Sequence, residues 1–466
     1  MTFEEFQALD GVGLAKLIAS GEISKRMATE ASINAIERFN PTINAVVMTN
    51  FEKAQASTPE SRSGPLAGVP FLLKDVNLYD RDMPTRFASR FFQDAKPRGD
   101  STMVRRWREA GLVILGKTNT PEFASEFVTE PAFYGPALNP WNIRHTTGGS
   151  SGGAASAVAA GLVPLAHGTD LGGSIRIPAS CCGIFGFKPS ARLNPLGPHV
   201  DEIAGGLDSD HVLSRSVRDS AASLDITTKG LHGFLGGLGK ASPRLRIGVT
   251  DISPEGVRAS ANQIAALEGV VKLLSDLGHR VEAYRYPAEG IMGKALDLLW
   301  MMDIHSLVSD HASTIGRRPE REELEPLSWI ALEYIQSLSA VEYHAARTAR
   351  HTAAVALERS MENNDVVVTP SLAGDPPLLG ELNSSRYPTV EEWSLAGYAF
   401  APFSTPANIA GQPSASIPAA ITPEGLPVGI QVTGKFGSDK LVLNLCAELE
   451  NAISWHRKRP PTVASA

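Results

Sequence analysis

An α/β fold, with a sheet covered by helices on both faces, is predicted from two features of the sequence. Short apolar, strand-like runs alternate with helix-length amphipathic stretches, most regularly after residue 240. No internal repeat and no linker-like run forces a cut, so residues 1–466 are expected to form a single domain. Gly (42) and Pro (32) stay well below low-complexity levels, which excludes a disordered or collagen-like chain.

Taken in order, apolar positions at helical spacing predict two helices over 12–38, with Ser24 capping the second. A short strand follows at 44–48. Residues 68–74 read as a buried strand that ends on Lys74, and a helix at 102–110 feeds a strand at 112–115. Between 135 and 190 the texture turns to Gly, Ser and small residues broken by short apolar runs. The later elements are a strand at 245–249, a long helix at 257–277 and a strand at 280–284. A helix at 340–361 precedes a strand at 366–368, and a strand at 430–433 precedes a last helix at 438–453. Pro376-Pro377 and 312–328 are expected to be surface loops.

The balance of 43 basic against 50 acidic residues, net −7, argues against nucleic acid as a partner, because phosphate binding needs clustered Lys and Arg. Cys181, Cys182 and Cys446 offer neither a disulfide framework nor zinc spacing. None of the 11 histidines forms H-E-x-x-H, so no metal is expected, and His167, beside the second glycine-rich block, reads as a packed residue that the chemistry does not need. The acidic start, Met1-Thr2-Phe3-Glu4-Glu5, lacks the plan of a secretory signal, and the apolar stretch 154–166 is too short to span a bilayer. The expected place is the cytoplasm, with no membrane partner.

Two motifs are decoys. Gly111-x-x-x-x-Gly116-Lys117-Thr118 satisfies the phosphate-binding loop expression, but its interior, Leu-Val-Ile-Leu, is a buried strand by composition, where that loop needs flexible backbone. Gly149-Ser150-Ser151-Gly152-Gly153 matches the nucleophile elbow and nominates Ser151. The elbow needs a strand before it, and Asn139-Pro140-Trp141-Asn142 is not one.

A third pattern joins Lys74 to two glycine- and serine-rich blocks, 148–153 and 168–178. A serine is a poor nucleophile until a base takes its proton, and a lysine can do so only when burial or a nearby cation keeps it neutral. Phe71-Leu72-Leu73 could desolvate Lys74. The glycines before Ser174 let successive N–H groups converge on one point, as an oxyanion requires.

With these blocks in view, the chain resembles the amidase signature enzymes, Ser–cis-Ser–Lys hydrolases of amides and related carbonyl compounds. The resemblance rests on Gly68-Val69-Pro70-Phe71-x-x-Lys74-Asp75, the 148–153 block and Gly168-Thr169-Asp170-x-Gly172-Gly173-Ser174-Ile175-Arg176-x-Pro178. Residues 116–123, Asn139-Pro140-Trp141, 367–370 and Asn408-x-x-Gly411-Gln412-Pro413 extend it over much of the chain. It implies a large mixed β-sheet core. It also implies Ser174 as nucleophile, Ser150 as the bridging serine on a cis peptide bond and Lys74 as general base. The amides of Leu171, Gly172, Gly173 and Ser174 match the oxyanion hole, Ser151, Asp170 and Arg176 match supporting positions, and Ala124, Ser125 and Thr169 match the substrate pocket. No cofactor is implied.

Within that family, residues 174–183, Thr129-Glu130-Pro131 and the run 212–219 look most like bacterial amidases of the 6-aminohexanoate-cyclic-dimer hydrolase type. The resemblance therefore implies hydrolysis of small uncharged amides, anilides or carbamates. Phe123, Phe127, Phe133 and Tyr134 are candidates for an apolar acyl pocket. A glutamine-hydrolysing amidotransferase subunit and a dedicated carbamate (urethane) hydrolase are the alternatives, and a homodimer is left open.

Overall fold

A computed structural model of the chain describes residues 1–56, 64–239, 243–287 and 294–464. Eleven strands build one mixed sheet: β1 (Val46–Thr49), β2 (Pro70–Lys74), β3 (Val113–Thr118), β4 (Leu165–Thr169), β5 (Phe185–Lys188) and β6 (Asp210–Ser214) in the first half of the chain. β7 (Arg246–Val249), β8 (Arg280–Ala283), β9 (Val366–Pro370), β10 (Ser414–Ile421) and β11 (Pro427–Gly434) follow. The order across the sheet is β1-β3-β2-β4-β6-β5-β10-β11-β9-β7-β8. β3, β2 and β4 run parallel, as do β9, β7 and β8, while the middle of the sheet, from β4 to β9, is antiparallel.

Alternate residues of each strand feed opposite cores, as the two-residue period of a strand requires. Leu72, Ala166 and Leu213 pack with the helices Lys25–Ile43, Gly152–Ala159 and Arg176–Cys182. Phe71, Leu73, Leu165 and Val212 point the other way, to Val12, Leu14, Met103 and Trp107 on the helices Gly11–Ser20 and Thr102–Glu109. In the far half, Val366, Ile430 and Val432 meet Leu267, Val270 and Leu274 of helix Ala261–Asp276 and Val442 and Leu445 of helix Asp439–Ile453. Strands buried on both faces read as continuous apolar runs, which is why β2, β3 and β9 are legible in the sequence.

The α/β class with a mixed sheet is what the structure shows, and most expected elements lie within a few residues of their places. The 312–328 loop is the clearest departure. Helix Lys294–Ile315 occupies its first four residues and helix Pro326–Gln336 begins before its end. The two form a hairpin in which Met301, Ile304 and Val308 pack on Ala331, Leu332 and Ile335, so burial overrides the polar look of the connecting segment. β4, β5, β6 and β10 were absent from the sequence reading because Gly, Ala, His and Ser fill them, and ladder pairing rather than propensity holds them. The phosphate-loop decoy is strand, as expected: β3 covers 113–118, and Lys117 Nζ donates to Thr85 Oγ1 at 2.6 Å. Among the described residues no helix is long and apolar enough to cross a membrane.

Gly153 shows why the first glycine block cannot be a loose linker. A Cβ at that position would lie 2.4 Å from Asn119 N and 2.6 Å from Asn119 O, so the helix Gly152–Ala159 starts in direct contact with the backbone after β3. Backbone atoms cannot rotate away as a side chain can. Gly153→Ala is therefore expected to cost about 1–3 kcal/mol of stability, seen as a lower urea midpoint with an unchanged m-value.

Candidate active site

The sheet order brings three strand ends to one edge. Lys74 ends β2 and Thr169 ends β4, its parallel neighbour. β6 runs antiparallel to β4 and starts at Asp210, which pairs with Thr169. Lys74 is fully buried, and its Nζ lies 2.7 Å from Ser150 Oγ and 2.8 Å from Thr169 Oγ1. Ser150 arrives from the turn before helix Gly152–Ala159, and the Gly149–Ser150 peptide is cis. Burial drives the lysine down to about 7, although the negative charge shared by the 208–210 carboxyls and that of Asp170 pull the other way. Near neutral pH a large share of Lys74 is an uncharged amine.

Asp170 organises the next loop. Its carboxylate accepts the Gly173 and Ile175 N–H groups at 2.9 and 3.1 Å and two N–H groups of Arg176 at 2.9 and 2.8 Å. Burial alone would push this carboxyl up, but the charge and hydrogen bonds of Arg176 outweigh it and hold Asp170 below the usual carboxylate range. Arg176 is itself buried and reaches Ser404 O at 2.7 Å, Asn408 Oδ1 at 2.6 Å and Gln431 Oε1 at 3.0 Å. Gly173 takes φ +133°, and a Cβ there would meet Ser404 Oγ at 2.4 Å, so glycine is required where the chain bends toward Ser174.

The expected site residues gather, with one difference in detail. Ser150, Thr169, Leu171, Gly172 and Ser174 line one cleft together with Ala124 and Ser125. Gly173 N–H is committed to Asp170, because the carboxylate sits on its side of the turn. The N–H groups of Leu171, Gly172 and Ser174 have no acceptor among the described residues. Ser151 is wholly buried off the cleft, its hydroxyl donating to Thr169 O and accepting from Thr169 N. It holds the end of β4 and faces no substrate, and a turn precedes it where the elbow would need a strand.

The cleft encloses about 1040 Å³, its mouth included. Phe123 and Phe127 line it, as expected. Phe133 and Tyr134 do not: their rings pack on each other at 4.5 Å, and the Tyr134 hydroxyl donates to Asp75. The opposite wall is helix Lys294–Ile315, whose Asp297, Trp300, Asp303 and Leu307 recur at helical spacing toward the cleft. Glu126 and Asp208 add two more carboxyls, and among the described residues no Lys or Arg lines the space.

Sequence reasoning passed over three residues. His167 was read as a packed residue that the chemistry does not need. Its Nδ1 accepts the Lys74 backbone N–H at 3.2 Å, so the proton is on Nε2, which donates to Asp210 Oδ1 at 2.8 Å. Burial, with Lys74 and Lys117 nearby, keeps the imidazole neutral. Asp208 and Asp210, just before the 212–219 run, were not singled out. Their two-residue spacing, which turns both to one side of an extended chain, was the available signal.

Comparison with known proteins places this geometry. The family described as Amidase matches residues 27–443. A 6-aminohexanoate-cyclic-dimer hydrolase from Pseudomonas sp. (strain NK87) is 34% identical, over 97% of this chain and 96% of that enzyme. A solved structure of 6-aminohexanoate cyclic dimer hydrolase complexed with substrate superposes with a TM-score of 0.92 at 32% identity, covering 98% of this chain and 99% of that one. A bacterial aryl acylamidase of the amidase signature family gives 0.85 at 26% identity, over 96% of each chain.

Removing one member of the buried Asp170–Arg176 pair leaves the other uncompensated. Arg176→Met is expected to lower stability by about 3–5 kcal/mol, measured by urea unfolding.

Proposed function

The chain belongs to the amidase family and is a hydrolase of non-peptide carbon–nitrogen bonds, and from that premise we propose that it cleaves small uncharged amides, anilides and carbamates through an acyl-enzyme on Ser174. The observation that carries the proposal is the 2.7 Å contact between the buried Lys74 Nζ and Ser150 Oγ beside the cleft that Ser174 lines. Neutral Lys74 accepts the Ser150 hydroxyl proton as Ser150 accepts that of Ser174, and Ser174 Oγ bonds to the carbonyl carbon. A hydroxyl can donate and accept at once, so Ser150 relays without gaining or losing charge. Thr169 Oγ1 keeps the amine oriented.

The oxyanion falls to the free N–H groups of Leu171, Gly172 and Ser174, fixed in place before substrate arrives. The lysine ammonium then returns its proton through Ser150 to the leaving nitrogen, and the C–N bond breaks. Water repeats the cycle on the ester and restores Ser174, the lysine doing what histidine does in the serine proteases. No step in this scheme calls on a cofactor.

Substrate class follows from the lining. Aromatic and aliphatic side chains favour apolar acyl and amine groups, and an anionic group would meet carboxyls with no cation to answer them. This speaks against glutamine, whose α-carboxylate needs a counter-charge, and for oligoamides, anilides and urethanes. Three cysteines, all buried and unbridged, suit a reducing compartment, and the proposal includes the cytoplasm.

Ser174→Ala is expected to lower kcat by about 10³-fold or more on an anilide, and to abolish labelling by a fluorophosphonate probe. Labelling that persists at another serine would overturn the assignment. The acid limb of kcat/KM should be half-developed near pH 7, where Lys74 loses its proton; a rate flat from pH 5 to about 9 would remove lysine as base. An anilide should be cleaved with at least about tenfold higher kcat/KM than its analogue bearing a carboxylate on the acyl chain. Equal rates would show that the acidic wall does not face the acyl group.

A further inference from the structure

A second cavity is lined by Asn194, Asp208, Ser209 and Asp210. Asp208 lines both this cavity and the active-site cleft. Asp210 is 1% exposed, yet its Oδ2 meets no N–H or O–H donor among the described residues. The other oxygen, Oδ1, takes the His167 Nε2–H, and His167 in turn holds the Lys74 backbone. A buried carboxylate oxygen with no donor is costly. The donor is supplied if Asp208 keeps its proton and shares it with Asp210. Asp208 Oδ2 already accepts from Asn77 Nδ2 at 2.8 Å, and burial together with Asp210 raises its carboxyl well above the usual range.

We propose that Asp208 and Asp210 are a one-proton carboxyl pair, with its single negative charge on Asp210, that positions Lys74 electrostatically and balances the ammonium formed during catalysis. The pair rests on the preceding reading of Lys74 as the base. Two adjacent buried carboxyls cannot both ionise, so the pair carries one charge where it would otherwise carry two. The backbone anchors it to the nucleophile loop: Asp170 N–H donates to Ser209 O at 3.0 Å, and Ser209 N–H donates to Asp170 O at 3.2 Å.

Other charges around the pair are already answered. The loop after β4 brings Asp170, neutralised by Arg176. β5 brings Lys188, which burial drives down to about 7, and β6 brings His211, which burial keeps neutral. From β3, Lys117 faces His167 but is 3.5 Å from Asp75. Helix Lys294–Ile315 brings Asp303, raised to about 7 by burial and bonded to Ala204 N–H. On the rim of the second cavity Arg192 and Glu202 pair with each other at 2.8 Å, and Asp201 is exposed. Asp210, raised to about 7 by burial against the opposing pull of Lys74, is left as the charge available to that amine.

The test is a pair of substitutions read by pH profile. Asp210→Asn keeps an oxygen for His167 but removes the charge, so the Lys74 ammonium loses support and its pKa falls. The acid limb of kcat/KM should move to lower pH by about 0.5–1 unit. Asp208→Asn supplies an N–H where the shared proton was, and should keep the limb in place whatever it does to the plateau. A purely structural role would lower the plateau of both variants and move neither limb. An unmoved limb in Asp210→Asn, or equal shifts in both variants, overturns the pair. Should Asp210→Asn not fold, the infrared difference spectrum between wild type and Asp208→Asn at neutral pH decides. Loss of one protonated-carboxyl band is expected against the background of other buried acids such as Glu126, which burial raises to about 8. A difference spectrum without that loss overturns the proposal. Fluorophosphonate labelling of Ser174 in the wild type is run alongside. If it fails, the fault lies with the acyl-enzyme reading; if it succeeds and the limb stays, with the pair.

Discussion

The proposed chemistry depends on a single amine held out of water. An exposed Lys74 would be protonated at neutral pH and useless as a base, and one buried among apolar groups alone would never accept a proton. The structure lies between these limits. Removal from solvent lowers the amine's affinity for protons, and carboxylates at a distance restore part of it, leaving the group near 7. Both hydroxyls that touch Nζ can donate or accept, so neither protonation state is orphaned.

The surrounding architecture keeps that balance from drifting. Lys74, Thr169 and Asp210 belong to adjacent strands of one ladder, so their separations are fixed by backbone pairing instead of by side-chain packing. Ser174 lies on a turn, which is inherently softer. Asp170 stiffens it by gathering N–H groups from Gly173, Ile175 and Arg176, and Arg176 ties Asp170 to Ser404, Asn408 and Gln431, more than two hundred residues away in sequence. A fully satisfied buried network of this kind fixes one arrangement.

How much was legible in the sequence depends on which force decides each part. Lys74, Ser150 and Ser174 could be picked out because close backbone contact demands glycine, and glycine runs are visible. The parallel strands β2, β3 and β9 could be read because burial on both faces leaves a plain apolar signature. β4 and β6 could not, since Leu-Ala-His-Gly-Thr and Asp-His-Val-Leu-Ser carry weak strand preference and are held as strands by pairing with each other and with β2 and β5. The cleft wall at Trp300 and Asp303 was hidden for a related reason: its helix owes its place to a hairpin partner thirty residues on. His167 was seen and set aside, because a neutral histidine bonded to a backbone amide looks like packing until its other nitrogen is followed to Asp210.

The cleft's two sides have different origins. The groups proposed to react come from strand ends and from turns clamped to them, whereas much of the facing wall is the helical segment Lys294–Ile315 with Trp393 and Tyr398 from helix Val390–Phe400. These helices supply shape and polarity but no ladder hydrogen bonds to β2, β4 or β6. Selection can thus remodel what is admitted while leaving bond cleavage untouched. The fold separates tolerance from chemistry, and transplanting those two helices between relatives is a rational route to new specificities.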